Sequence, residues 1–368
     1  LKLLSFISES LNLDSQCFLP SNQAFTLPLK SAETLSIGTD KRRKKLYKAV
    51  NGEYFNTLDN YRTGIAVKKA YNLVRKLQKI ILQADFKFFK PIMIEDIEIN
   101  DVRTLTQLVK EKYRYDFSNY AISSFKRRLI RILELYKFDT FEKLLVRVKN
   151  EPAFFREFLS EITVNVTEMF RDPSMWRELR DKILPNLFEA HETVKIWHAG
   201  CSSGEEVFSM AILLKESGWY NRAKIYATDI DHTIIAKAKE GRYSMKNMQE
   251  LNDKNYVRFE GKSQLTDYYK VDGQNAQFDK NLLANVNFME HNLVSGGAFT
   301  KVDVILCRNV LIYFNQNLQN EVFRTLHQSL FNYGYLMVGS KETLVWCDIA
   351  SKFITVNNEE KIFKKIRE

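Results

Sequence analysis

The sequence has little cysteine: Cys17, Cys201, Cys307 and Cys347 are its four, and they stand far apart. That spacing suits neither a zinc site nor a disulfide scaffold, and it fits a reducing cytosol. The five histidines show no ligand spacing such as His-Glu-x-x-His, so no metal site is expected. No run of 18 or more apolar residues occurs, which argues against a transmembrane helix. The N-terminus lacks the charged, apolar and small-residue succession of a signal peptide, so a cytoplasmic protein without membrane insertion is expected. Internal repeats and low-complexity tracts are missing as well.

What is present is an ordinary globular composition, 45% apolar and 27% charged, in 368 residues, enough for two or three domains. The net charge of +10 suggests nucleic-acid binding until its distribution is counted. Residues 1–92 hold 16 Lys and Arg against 7 Asp and Glu, and the remainder holds 39 against 38. The basicity belongs to the leading segment, so a whole-chain argument for a nucleic-acid partner fails.

That leading segment, 1–92, reads as a basic extension. Lys41-Arg-Arg-Lys-Lys45 is better read as a solvated charge run than as a nucleic-acid or membrane patch. Residues 61–83 place Ile65, Leu73, Leu77 and Ile81 near helical spacing among lysines and arginines, the pattern of a basic amphipathic helix. The chain begins with Leu1, while Ile92-Met-Ile-Glu-Asp-Ile97 looks like a protein start, so Met93 is expected to be the initiator. Residues 93–168 then read as a small all-helical domain. A periodic stretch follows Thr104, and a basic helix spans 123–138. Its apolar Phe125, Leu129, Ile132, Leu133 and Tyr136 oppose Lys126, Arg127, Arg128 and Arg131. Pro152 should break or restart the helix that follows.

Residues 169–368 alternate strand and helix, predicting a mostly parallel sheet with helices on both faces. Strands are expected at 194–199, 224–230, 302–307 and 335–339, with two short ones near the C-terminus. The polar stretch 243–285, with no long helix, reads as an insertion.

Two signals carry chemistry. The turn Ala199-Gly-Cys-Ser-Ser-Gly-Glu205-Glu206 joins a strand to a helix, and its glycines, Gly200 among them, let a ligand approach the backbone. It is neither the dinucleotide fingerprint nor a phosphate-binding loop. Glu205, at the helix start, would repel phosphate but suits an amino group, though an ordinary β–α turn reads the same way. Asp229, ending the second strand about 25 residues on, is placed for two ribose hydroxyls. Asp231 reads instead as the N-cap of the next helix. Together they indicate an adenosine cofactor without a large phosphate, for which S-adenosylmethionine (SAM) fits better than NAD.

Four motifs in order then make the sequence resemble the chemotaxis receptor methyltransferases, the CheR family, over roughly residues 95–368. They are Asn165-Val-Thr-Glu-Met-Phe-Arg171, Ala199–Glu206, Ala227-Thr-Asp-Ile-Asp231 and Cys307-Arg-Asn-Val-Leu-Ile-Tyr-Phe314. The resemblance implies a class I SAM-dependent methyltransferase: a Rossmann-like, mostly parallel sheet with a small β-subdomain at 243–285, preceded by an all-α domain. It implies that Asn165, Thr167 and Arg171 line the cofactor pocket, Arg171 meeting the methionine carboxylate. It further implies Glu205 at the methionine end, Asp229 on the ribose, Asn292 and Leu293 beside the adenine, and Asn309 and Val310 nearby. The helix bearing Lys126, Arg127, Arg128 and Arg131 resembles a surface facing acidic receptor helices. Departures from the family pattern are Val207-Phe208 for Pro-Tyr, Met169 for the first Phe of Phe-Phe-Arg, and Gly339-Ser-Lys-Glu342 for Gly-His-Ser-Glu.

The implied reaction is attack of a receptor glutamate on the sulfonium methyl, releasing S-adenosylhomocysteine. A carboxyl with an ordinary pKa of about 4.3 is already ionised at neutrality, so no general base is required. Arg171 and Tyr313 are the catalytic candidates, Tyr313 aligning the carboxylate, although a packed aromatic at a strand end reads equally well. The alternatives are a methyltransferase of the same fold with another substrate and a SAM-binding signalling module without turnover. The expected partner is the cytoplasmic domain of chemoreceptors, and the expected state is a monomer.

Overall fold

The computed structural model describes residues 97–163 and 165–367. The basic run at 41–45, the amphipathic pattern at 61–83 and the expected initiator Met93 lie outside these residues.

Four helices come first: α1 (Ile99–Tyr113), α2 (Ile122–Leu135), α3 (Phe141–Asn150) and α4 (Pro152–Ile162). The first starts five residues before Thr104 because Glu98 and Asp101 form a reciprocal capping box, with Glu98 N–H donating to Asp101 Oδ2 at 2.8 Å. Pro152 takes the first position of α4, where a missing N–H costs nothing, so it restarts the helix that α3 ends. The apolar face of α2 is buried as its periodicity predicts, through Phe125, Leu129, Ile132 and Leu133. These pack with Leu105, Val109, Leu144, Val148 and Phe158 into one core.

A linker leads to a broken helix, α5, over 173–190, which contains a π turn at Leu179–Ile183. The main sheet then follows: β1 (Val194–Ala199), β2 (Ala223–Asp229), β6 (Val286–Glu290), β7 (Val302–Cys307), β8 (Leu330–Val338), β9 (Phe353–Asn357) and β10 (Ile362–Lys365). Their spatial order is β6-β2-β1-β7-β8-β10-β9. The first five strands run parallel, and β10 pairs antiparallel with both neighbours. Helices α6 (Glu205–Glu216), α7 (His232–Glu240) and α9 (Gln316–Ser329) make the crossovers. Central β7 reads Val-Asp-Val-Ile-Leu-Cys and is buried throughout, as a strand covered on both faces must be. Strand order reverses between β1 and β7, which opens a crevice beyond their carboxyl ends.

The insertion forms a second, antiparallel sheet in the order β3-β5-β4, from β3 (Arg242–Ser244), β4 (Tyr269–Asp272) and β5 (Asn275–Phe278). It also carries continuous helix, α8, over 245–259, where the sequence suggested no long helix. Met248, Tyr256 and Phe259 are buried there at spacings of eight and three, so α8 packs through a few large side chains rather than a continuous apolar stripe. Among the described residues, no helix is long and apolar enough to cross a membrane, and no cluster of His, Cys, Asp or Glu could hold a metal ion.

Candidate active site

The crevice is roofed by the helical region. Tyr120 forms an antiparallel bridge with Phe314, their rings meeting edge-on at 5.0 Å. Ala121 N–H donates to Tyr313 O at 2.8 Å and Asn315 N–H to Asn119 O at 2.9 Å. Below this roof lies a cavity of about 1110 Å³ including its open mouth, a size that accommodates a small-molecule cofactor with an access route.

The floor comes from the β1–α6 turn. Gly200 has φ +82°, and a Cβ there would stand 2.6 Å from Val310 Cγ2, so only glycine lets the β1 and β7 loops close together. Gly200 N–H and Cys201 N–H both donate to Thr228 O at 2.8 Å, locking the turn to β2. Asp229, at the end of β2, is nearly buried. Its Oδ2 accepts from Ser202 N–H at 2.8 Å and its Oδ1 from Asp231 N–H at 3.2 Å. Burial outweighs these bonds and raises its pKa to about 6. Each oxygen retains acceptor capacity toward the cavity. Asp231 caps α7 through Thr233 N–H, as its position suggested, and also accepts the Ser160 hydroxyl from α4.

The two glutamates that open α6 part company. Glu205 is buried but outside the cavity lining, and its Oε2 accepts from Ser203 Oγ at 2.6 Å. Burial raises its pKa to about 7. Glu206 lines the cavity. Burial acts to raise its pKa, but the hydrogen bond and charge of His198 (2.8 Å) and the charge of Arg308 (3.1 Å) prevail and hold it low. Glu205, expected at the methionine end, thus lies outside the cavity lining, and Glu206, one residue on, lies within it.

Arg308 was not singled out from the sequence, although it sits inside the Cys307–Phe314 motif. It is nearly buried and ties three segments together. Nη1 donates to Glu206, and Nη2 donates to Asp172 Oδ2 at 2.6 Å and to the Arg171 carbonyl at 3.0 Å. A residue joining the sheet to the linker has no local sequence signature, since its partners stand 102 and 136 positions away.

The linker is held from both sides. Phe170 N–H donates to Ser209 Oγ at 2.9 Å, Met169 N–H to Asn252 Oδ1 at 3.0 Å, and Asn255 Nδ2 to the Met169 carbonyl at 3.0 Å. Phe170 and Asp172 both adopt positive φ, 49° and 56°, on either side of Arg171. Backbone strain of this kind persists only where surroundings impose it, and here it turns Arg171 into the cavity. Asn165 and Thr167 line the wall, with Asn165 Nδ2 also donating to Ser160 O at 3.3 Å. Asn292, Leu293 and Val294 form the opposite wall, where Asn292 Oδ1 accepts Val294 N–H at 2.9 Å and so shapes its own turn. Asn309 reaches the lining through φ +61°, a conformation imposed by Glu342: its Oε2 accepts Asn309 N–H at 3.0 Å and its Oε1 accepts Ile312 N–H at 3.2 Å.

At the mouth stand Tyr313, Arg128 and Arg171. Burial raises the Tyr313 pKa and the Glu342 charge adds to the rise, while the charges of Arg128, Arg171 and Arg127 act against it. The basic set of α2 is thereby divided. Arg128 lines the cavity, Arg127 lies close by, Arg131 is paired loosely with Glu161 at 3.8 Å, and half-buried Lys126 is not part of the lining.

Comparison with known proteins agrees with this construction. Residues 165–362 match the family model described as the CheR methyltransferase SAM-binding domain, and residues 100–163 match the CheR methyltransferase all-alpha domain. The protein named Cher3 of Pseudomonas putida is 40% identical over 270 residues, 73% of this chain and 97% of that protein. The chemotaxis protein methyltransferase of Listeria monocytogenes is 30% identical across 69% of this chain and 93% of its own length. Chemotaxis protein methyltransferase 1 of Pseudomonas aeruginosa is 29% identical over 61% and 82%. The chain belongs to the CheR methyltransferase family and is a SAM-dependent methyltransferase with an all-α domain ahead of a class I, mostly parallel catalytic sheet.

Proposed function

We propose that this enzyme methylates glutamate side chains on the cytoplasmic domain of chemoreceptors, forming carboxyl methyl esters. The observation that carries this reading is the mouth: Arg128 and Arg171 flank Tyr313 at the entrance to the cofactor cavity. The Arg128 guanidinium and the Tyr313 phenol suit a carboxylate arriving from outside, while Arg171 is left for the carboxylate of the cofactor.

The cavity's chemistry fits SAM. Gly200 leaves room for close approach, Asp229 has spare acceptors for ribose hydroxyls, and the buried Ser202 hydroxyl has no protein partner in the lining. Asn165, Thr167, Gly200, Asp229, Asn292, Leu293, Asn309 and Val310 would hold it, with Arg171 at the methionine carboxylate. Glu206 would take the amino group in place of Glu205. When bound, SAM supplies an electrophilic methyl on a sulfonium.

The chain's own residues then have three tasks. Arg128 and Tyr313 orient the incoming carboxylate, whose ordinary pKa of about 4.3 leaves it ionised without a base. The Tyr120–Phe314 roof excludes water from the reacting atoms. Glu342 and Arg308 fix the loops that carry these groups, so alignment is established before substrate arrives.

In this reading residues 93–168 meet the receptor and lend Asn165 and Thr167 to the cofactor wall, residues 169–368 supply the rest of the cofactor site and the chemistry, and the enzyme acts as a cytoplasmic monomer without nucleic acid. The β-subdomain spans 243–285. The test is whether methyl label from SAM appears on a receptor cytoplasmic fragment in an alkali-labile form.

A further inference from the structure

One apolar surface beside the mouth is not used by the chemistry above. Trp346 is 77% exposed and Val345 62%, whereas Trp176 and Trp197 are fully buried. A tryptophan in water forgoes a large burial gain, and its chain neighbour Val345 is an exposed apolar residue as well. Two residues after Tyr120 and two before Phe314, on the same side of their antiparallel bridge, stand Ile122 and Ile312, both exposed. The segment bearing Trp346 is fastened to the same region. Gln316 Nε2 donates to the Trp346 carbonyl at 3.4 Å, Glu342 accepts Ile312 N–H, and Leu344 is buried in one core cluster with Leu311 and Phe314. These ties fasten the segment bearing Val345 and Trp346 to the loop that carries Ile312 and Tyr313, and the bridge sets Ile122 beside that loop. Arg127 and Arg128, on the first turns of α2, border the same region.

An apolar shelf edged by arginines has a definite complement. From this juxtaposition we infer that Trp346, with Ile312, Val345 and Ile122, forms the docking shelf for an amphipathic, acidic helix of the protein substrate. The helix lays its apolar positions on Trp346 and Ile312, its acidic positions face Arg127 and Arg128, and one glutamate is delivered to Tyr313. Arginine complementarity selects an acidic partner, and the tryptophan supplies the desolvated anchor that holds it. The inference rests on the proposed glutamate methylation and adds the surface that selects the helix.

The test uses the full chain, SAM and a helical cytoplasmic fragment of a chemoreceptor. In Trp346→Ala the KM for the fragment should rise about tenfold or more, with kcat and SAM affinity changed less than about twofold. The emission of the unaltered protein should shift to the blue on mixing with the fragment, and this shift should vanish in Trp346→Phe. Methylation that proceeds with an unmoved KM and unmoved emission overturns the shelf while the glutamate reaction stands. Failure of the unaltered protein to methylate the fragment overturns the reaction, and a blue shift absent at the same time overturns the shelf with it.

Discussion

Asp229 carries opposed demands, because the burial that shapes the proposed ribose site also raises its pKa to about 6. The ligand-free fold is favoured by its protonation below the ordinary aspartate pKa and loses that contribution as pH rises through about 6. Cofactor binding runs the other way, since ribose hydroxyls need the ionised acceptor. SAM affinity measured by calorimetry should be level above neutrality and fall roughly tenfold by one pH unit below 6. The adjacent glutamates separate in the same way. Glu206→Gln should weaken SAM by about tenfold or more, whereas Glu205→Gln should stay within about threefold, both compared at matched melting temperature. Equal effects would remove Glu206 from the cofactor site. From the sequence Glu205 is expected there, but adjacent positions on a first helical turn differ by about 100° in direction, and which one faces the crevice depends on the turn before it. Asp229, ending a strand, had no such ambiguity.

At the scale of elements, α2 would join the proposed receptor binding to the fold. Its apolar stripe was legible from periodicity, and its basic stripe was legible as a stripe, but the structure divides that stripe by its neighbours. Arg128 reaches the cavity mouth and Arg131 meets Glu161 of α4. Charge reversal by Arg127→Glu should therefore raise KM for an acidic receptor fragment several-fold at low salt, and the difference should shrink as ionic strength increases. The same reversal at Arg131 should do much less, because its pairing with Glu161 is loose and exposed. A salt-independent effect of Arg127→Glu would place its role in folding. The elements least visible in the sequence were β6 and α8. Val286–Glu290 is a partly exposed edge strand with Asn287, Met289 and Glu290 exposed and no continuous apolar run, and α8 lacks the regular apolar repeat that marks a helix. Central β1 and β7, buried on both faces, were legible as apolar runs.

For the molecule as a whole, the cavity draws on six separated stretches: α2 with Tyr120 before it, the linker, the β1 turn, the end of β2, the loop after β6, and the loop after β7. Each contributes a motif that was readable, and the order of those motifs matched one family. Their closure was not readable, because it depends on Arg308 and Glu342 binding residues 30 to 136 positions away. The reaction itself is tested most directly by incubating the protein with methyl-labelled SAM and a chemoreceptor cytoplasmic fragment, then treating the product with mild alkali. Esterification of glutamate predicts label on the fragment that alkali releases as methanol. Label that survives alkali, or SAM bound with no transfer to the fragment, would contradict it.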